Sequence, residues 1–172
     1  MVAHVGDFGL ARFLGTDVNK NNSLAIKGTI GYAAPEYGLG SEMTSSGDVY
    51  SFGILLLEVM TGKRPTDNIF NDGLNLHQFA YKALQDNHVT EVIDGDLLHH
   101  HQDVENDSDL NYDEDDEIAM KSKAHDTEKI EECMTSILKI GVLCSLDSPP
   151  QRMDIKNVVH ELQRTIDTLR NI

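Results

Sequence analysis

The run from Val49 to Met60 constrains this chain more than any other feature. Val49, Phe52, Ile54, Leu55, Leu56, Leu57, Val59 and Met60 leave hardly any polar face at helical spacing. A helix apolar all round is buried in a protein core or in a membrane. This run is too short for a bilayer, which needs about 20 residues. The segment 44–61 is therefore expected to be a buried central helix. Thr44, Ser45 and Ser46 are its candidate caps, and Gly62 followed by Pro65 supplies the stop. At 172 residues the chain is long enough for one ordinary domain, and a domain built round such a helix has a specific architecture.

Three further helices follow from apolar periodicity. Residues 74–86 place Leu76, Phe79, Ala80, Ala83 and Leu84 on one side. Residues 127–145 repeat Ile130, Cys133, Met134, Ile137, Leu138 and Gly141. After a break at Ser145 to Pro150, residues 154–170 carry the stripe Ile155, Val158, Val159, Leu162, Ile166 and Leu169, with Asp154 as cap. The chain opens with a strand-like Met1-Val2-Ala3-His4-Val5, and residues 11–33 read as a long loop. Loops longer than about 12–15 residues are usually functional or disordered. This one holds four candidate phospho-acceptors: Thr16, Ser23, Thr29 and Tyr32. No internal repeat is present.

The charge is uneven. The net charge is -15, yet residues 83–120 contain no Lys or Arg and hold 13 Asp or Glu, leaving 16 acids against 14 bases elsewhere. Residues 99–126 thus read as an acidic, disordered insertion. A chain this acidic repels phosphate backbones, and with 6% aromatics and no Trp it offers no base-stacking platform, so nucleic acid is not an expected partner. Cys133 and Cys144 lie about 16 Å apart along one helix, too far for a disulfide, which suits a reducing compartment. No signal peptide or membrane-spanning segment is evident, so direct membrane insertion by this chain is not expected.

Gly6-Asp7-Phe8-Gly9-Leu10-Ala11-Arg12 is followed by Gly28-Thr29-Ile30-Gly31-Tyr32-Ala33-Ala34-Pro35-Glu36-Tyr37. A D-F-G and an A-P-E in this order and at this distance bracket the activation loop of protein kinases. With Gly47-Asp48-Val49-Tyr50-Ser51-Phe52-Gly53-Ile54-Leu55-Leu56-Leu57-Glu58 and Cys144-Ser145 … Pro150-Gln151-Arg152-Met153, the chain resembles the plant leucine-rich-repeat receptor-like serine/threonine kinases. The likeness covers nearly everything outside residues 99–126.

The resemblance implies a mainly α fold: a partial kinase C-lobe of activation loop and C-lobe helices, with the N-lobe and catalytic loop absent. Residues 1–36 would be the D-F-G, activation and substrate loop, 44–98 the central and following helices, 99–126 the insertion and 127–172 the C-terminal helices. Asp7 would bind Mg²⁺ and through it ATP, a role suited to a hard oxygen ligand. Phe8 and Gly9 would complete that site, Phe8 setting active against inactive packing. Thr29 and Gly31 would lie where the substrate hydroxyl docks. Glu36 would pair with a buried Arg152, and Asp48 would hold the catalytic loop. The alternative to each is an ordinary structural role: Asp7 as a turn aspartate, Glu36 as a surface acid, Asp48 as a helix-start acid favoured by the dipole.

The chain departs from the family by what it omits. A Gly-rich loop, a strand lysine and an H-R-D-x-x-x-x-N loop are needed for phosphoryl transfer, and none occurs in these 172 residues. The leading expectation is a fragment of a receptor-like kinase that phosphorylates protein Ser/Thr from Mg–ATP. The fragment alone is expected to be inactive, to bind Mg²⁺ and ATP poorly and to be marginally stable. Its parent would be a single-pass plasma-membrane protein, with this part on the cytoplasmic side. An alternative is a non-catalytic truncated homologue that binds other kinases. A third reading is a calcium loop from Asp103 to Glu114, against which Ser108 replaces the sharp-turn glycine. His99-His100-His101 is a weak candidate for a transition metal.

Overall fold

Thr44 starts the central helix. Its hydroxyl oxygen accepts the Gly47 N–H at 3.2 Å, satisfying one of the free donors of the first turn. The computed structural model describes residues 4, 6, 31–40, 42–70, 73–99 and 115–171. Among these the regular elements are all helical: α1 (Pro35–Gly38), α2 (Ser45–Thr61), α3 (Leu76–Gln85), α4 (Gly95–His99), α5 (Asp115–Cys144) and α6 (Ile155–Leu169). Short 3₁₀ turns at Asn68–Phe70, Val89–Glu91 and Pro149–Gln151 link them.

α2 ends at Gly62, which takes a left-handed φ of 66° while its N–H bonds the Glu58 carbonyl. Asp94 packs on Gly62 where a Cβ would stand, so the position requires glycine for both backbone and space. α3 begins with a reciprocal cap: the Asn75 side chain accepts the Gln78 N–H at 2.8 Å, and the Asn75 N–H donates to the Gln78 side chain at 3.3 Å. Asp154 caps α6 through the Lys156 N–H at 2.8 Å.

α2 is the hub. Ile54, Leu57 and Met60 bury against Leu76 and Ala80 of α3, Val89, Ile93, and Leu138 and Val142 of α5. Val49 joins Ile140, Cys144 and Val158 in a second cluster that brings in α6. α2 and α5 approach at two glycines. A Cβ on Gly53 would lie 2.7 Å from Cys144 Cβ and 2.9 Å from the Gly141 carbonyl, and one on Gly141 would lie 2.6 Å from Leu57 Cδ2. The two backbones come together only because both positions lack a side chain.

Three expectations are corrected. α2 is not buried all round: Leu55 and Val59 are 50% and 56% exposed. They stand one turn apart on a face that no described element covers, because α3, α5 and α6 pack on its other sides. The α6 stripe is only partly inward. Val158 and Thr165 are buried, whereas Ile155, Val159, Ile166 and Leu169 are exposed, since α6 leans on α5 and α2 along one edge of a wide apolar face. Finally, α5 starts at Asp115 rather than near 127. Residues 115–126, assigned by charge to the insertion, are helical because Ile118, Ala119, Met120, Lys121 and Ala124 propagate a helix despite the acids before them. Cys133 and Cys144 are buried free thiols.

Candidate functional site

Pro35 opens the one-turn α1, a position where its missing N–H costs nothing. This turn points Glu36 at the far end of the chain. Arg152, 116 positions away, grips it with two parallel bonds of 2.7 Å, from Nη1 to Oε1 and from Nη2 to Oε2. Arg152 Nε also donates to the Leu146 carbonyl at 2.7 Å, Nη1 to the Ser46 carbonyl at 3.0 Å and Nη2 to the Asp147 carbonyl at 3.0 Å. A guanidinium has five N–H donors in a planar fork, so every one has an acceptor here. Its Cζ also sits 5.0 Å above the Tyr50 ring, within cation–π range. The Arg152 side chain is 1% exposed and that of Glu36 14%. Bonding to Arg152 holds the Glu36 carboxyl below the ordinary range, against burial that pushes the other way. One side chain thus ties α1, the first turn of α2 and the 146–147 loop together.

A second contact anchors the segment before α1. The Tyr32 hydroxyl donates to the Glu58 carboxylate, while the Ser51 hydroxyl donates to the Tyr32 carbonyl at 2.8 Å. Burial, then the bond to Glu58, pushes the Tyr32 phenol up to about 12. Gly31, at φ 91°, packs so closely on Pro65 that a Cβ would lie 2.8 Å from it. Next to α1, the Tyr37 hydroxyl bonds the Thr44 carbonyl and accepts its N–H, at 3.2 and 3.1 Å, and closes over Gly47.

The structure therefore brings Glu36 and Arg152 together, and holds Tyr32 in a separate contact with Glu58. Asp48 stands exposed in the first turn of α2. Asp7, Phe8, Gly9, Thr16, Ser23 and Thr29 lie outside the described residues, as do Asp103 to Glu114, His100 and His101. Among the described residues no three His, Cys, Asp or Glu gather to hold a metal ion, and no helix is long and apolar enough to cross a membrane. Sequence reading missed Glu58 and Ser51 as partners of Tyr32. Glu58, an acid closing an apolar helix, was the available signal.

A short turn locked by a fully bonded arginine to a body that is all helical among the described residues is consistent with part of a kinase C-lobe. The family model of protein tyrosine and serine/threonine kinases matches residues 1–162, and the chain belongs to that family. Over 166 residues it is 41% identical to the receptor kinase-like protein Xa21 of Oryza sativa subsp. japonica, covering 94% of this chain and 15% of the relative. It is 37% identical to a probable LRR receptor-like serine/threonine-protein kinase of Arabidopsis thaliana, At3g47570, covering 94% and 14%. To the Arabidopsis LRR receptor-like serine/threonine-protein kinase EFR it is 34% identical, covering 94% and 13%. The fold is mainly α, as in the helical part of a kinase C-lobe, and the chain spans about one seventh of the length of these relatives.

Proposed function

We propose that this chain is the C-terminal part of the catalytic domain of a receptor-like serine/threonine kinase. In a longer polypeptide it serves transfer of the ATP γ-phosphate to protein Ser or Thr, on the cytoplasmic side of a single-pass plasma-membrane protein. The observation that carries this reading is the Arg152 fork on Glu36. It fixes the end of the segment leading to Ala34-Pro35-Glu36 against the helical body, which gives a docking surface for a protein hydroxyl a defined position.

Within this reading Asp7 holds Mg–ATP, which supplies the phosphoryl group and neutralises its charge, with Phe8 and Gly9 beside it. Thr29 and Gly31 receive the substrate hydroxyl. Asp48 holds the catalytic loop. Thr16, Ser23, Thr29 and Tyr32 are the candidate acceptors for phosphate in this segment. The 172 residues alone bind Mg²⁺ and ATP poorly and do not transfer phosphate, because they contain no strand lysine and no H-R-D-x-x-x-x-N loop.

The test is a pair of assays. The 172-residue chain is incubated with Mg–ATP and a generic Ser/Thr protein substrate, and no transfer above buffer is expected. The same residues, joined from Gly6 onward to the preceding kinase segment of a relative, are expected to label Ser/Thr and to lose labelling on Asp7→Ala. A folded but inactive fusion would overturn the reading. The second reading, a non-catalytic homologue that binds other kinases, is favoured by exposed Leu55 and Val59. That inactive fusion, together with capture of an intact kinase by the 172-residue chain, would support it.

A further inference from the structure

Ser145, Leu146 and Asp147 are gripped from two sides. On one side His77, in the first turn of α3, places Nδ1 2.8 Å from the Ser145 hydroxyl. That hydroxyl donates its own proton to the Gly141 carbonyl, so the ring nitrogen is the donor. On the other side Arg152 takes the next two carbonyls, Leu146 through Nε at 2.7 Å and Asp147 through Nη2 at 3.0 Å. The same guanidinium holds Glu36. Three consecutive residues thus join an imidazole on α3 to the fork on α1. His77 is half-buried and Ser145 fully buried. Tyr81 stacks on the imidazole from its own helix, with ring centres 6.2 Å apart, and the end of α5 contributes the neutral Ser145. Among the described residues the charged group that faces His77 is Asp147. Asp147 is exposed, so its carboxylate is free to turn while its carbonyl is held. The same carboxylate bears on Tyr50, the ring under Arg152.

We propose that His77 and the Glu36–Arg152 fork form one proton-linked device: protonation of His77 loosens the α1 turn, and release of that turn favours the proton. A charged imidazole keeps its Nδ1–H bond to Ser145 but attracts the Asp147 carboxylate. Ser145 is fixed in the core, so Asp147 answers by rotating about its own backbone. That rotation draws its carbonyl away from Arg152 Nη2. The guanidinium then loses an acceptor that sets its plane, and the two parallel bonds to Glu36 require that plane. Burial holds the His77 pKa below 6.5, with Asp147 opposing. The ring is therefore uncharged at neutral pH with the turn fastened, and acidification below 6.5 charges the ring and unfastens the turn. The device stands on these contacts; only its consequence for substrate docking rests on the kinase reading.

Coupling of this kind is reciprocal, so two measurements on the full 172-residue chain test it from opposite ends. In the first, the His77 ring is titrated by NMR in the native chain and in Glu36→Gln. Removing an acid lowers a histidine pKa by its field alone. The device requires the opposite, a rise of about 0.7 pH unit, which is the fivefold at the low end of ordinary coupling. A fall, or no change, would overturn it. In the second, amide exchange is followed at Tyr37, Leu39 and Gly40, whose N–H groups close α1 and the turn after it. Rates at pH 7.5 and 5 are corrected for the intrinsic pH dependence of exchange. Protection is expected to drop about fivefold at the lower pH in the native chain and to stay level in His77→Gln. An equal drop in both chains, or none in either, would overturn the device. This measurement leaves the fork untouched, so it decides the question should Glu36→Gln fail to fold. Neither readout depends on phosphotransferase activity of this chain.

Discussion

His77 Nδ1 lies 2.8 Å from Ser145 Oγ, a contact that joins the first turn of α3 to the end of α5 across 68 positions. Ser145 is completely buried, and its hydroxyl donates to the Gly141 carbonyl at 2.8 Å. A hydroxyl has one proton, so the His77 nitrogen is the donor and the neutral ring is the Nδ1–H tautomer. Protonating the other nitrogen leaves this bond in place but puts a charge in a half-buried site.

A pH dependence follows. Burial lowers the His77 pKa from 6.5, with Asp147 opposing, so the unfolded chain binds the proton more tightly than the folded one. The stability from neutral His77 is complete above pH 6.5 and is lost as pH falls through the window below it. Urea midpoints measured from pH 7.5 to 5 are expected to fall, and His77→Gln, which keeps a donor for Ser145, is expected to make that fall shallower. An unchanged slope would remove His77 from the account.

Arg152 is not replaceable by lysine. Arg152→Ala leaves Glu36 half-buried without its partner, and a loss of about 3–5 kcal/mol is expected for such a break. Arg152→Lys restores the charge but not the fork, so it is expected to recover less than half of that loss. Urea denaturation of the two variants distinguishes a fork from a simple point charge.

The glycine crossing of α2 and α5 gives the opposite of what helix propensity alone suggests. Gly→Ala in an exposed helix interior stabilises by up to about 1 kcal/mol. At Gly141 the added methyl meets Leu57, and at Gly53 it meets the Cys144 Cβ and the backbone of Ser145 and Gly141. Overpacking of this kind costs about 1–3 kcal/mol, so Gly53→Ala and Gly141→Ala are expected to lower the urea midpoint. Gly53→Ala is expected to be the worse of the two, because backbone yields less than a leucine rotamer.

Leu55 and Val59 present apolar surface to water. Leu55→Glu with Val59→Lys is expected to change stability by no more than about 0.5 kcal/mol, as substitutions at exposed positions do. The same pair is expected to reduce self-association of the 172-residue chain in sedimentation velocity. Strong destabilisation would mean that this face is covered in the folded chain.

The parts of the fold legible in the sequence were those with local chemistry. Thr44 and Gly62 bracket α2 by capping and by a left-handed turn, each within four residues of the helix it bounds. Asn75 and Asp154 likewise mark their helices. The start of α5 was hidden because acidic residues that suggest a solvated coil also suit the first turn of a helix, where the dipole favours them. The exposure of Leu55, Val159 and Ile166 was hidden because an apolar stripe does not say how much of its width a neighbour covers. In the site, the Glu36–Arg152 contact came from resemblance to a family and not from spacing. Tyr32–Glu58, His77–Ser145 and the Gly53–Gly141 approach left no periodic trace, since each joins residues whose separation no local rule sets.

The Arg152 fork also has a consequence in time. Its two halves are 116 positions apart. At about 5–20 residues per second on a ribosome, roughly 6–23 seconds pass between them. Within that interval the residues of α2 are made while the turn carrying Glu36 has no guanidinium to hold it. The α1 turn is therefore fastened to the helical body by its guanidinium only well after the turn itself is made, whereas the Tyr32 segment before it finds its partners within residues 51–65.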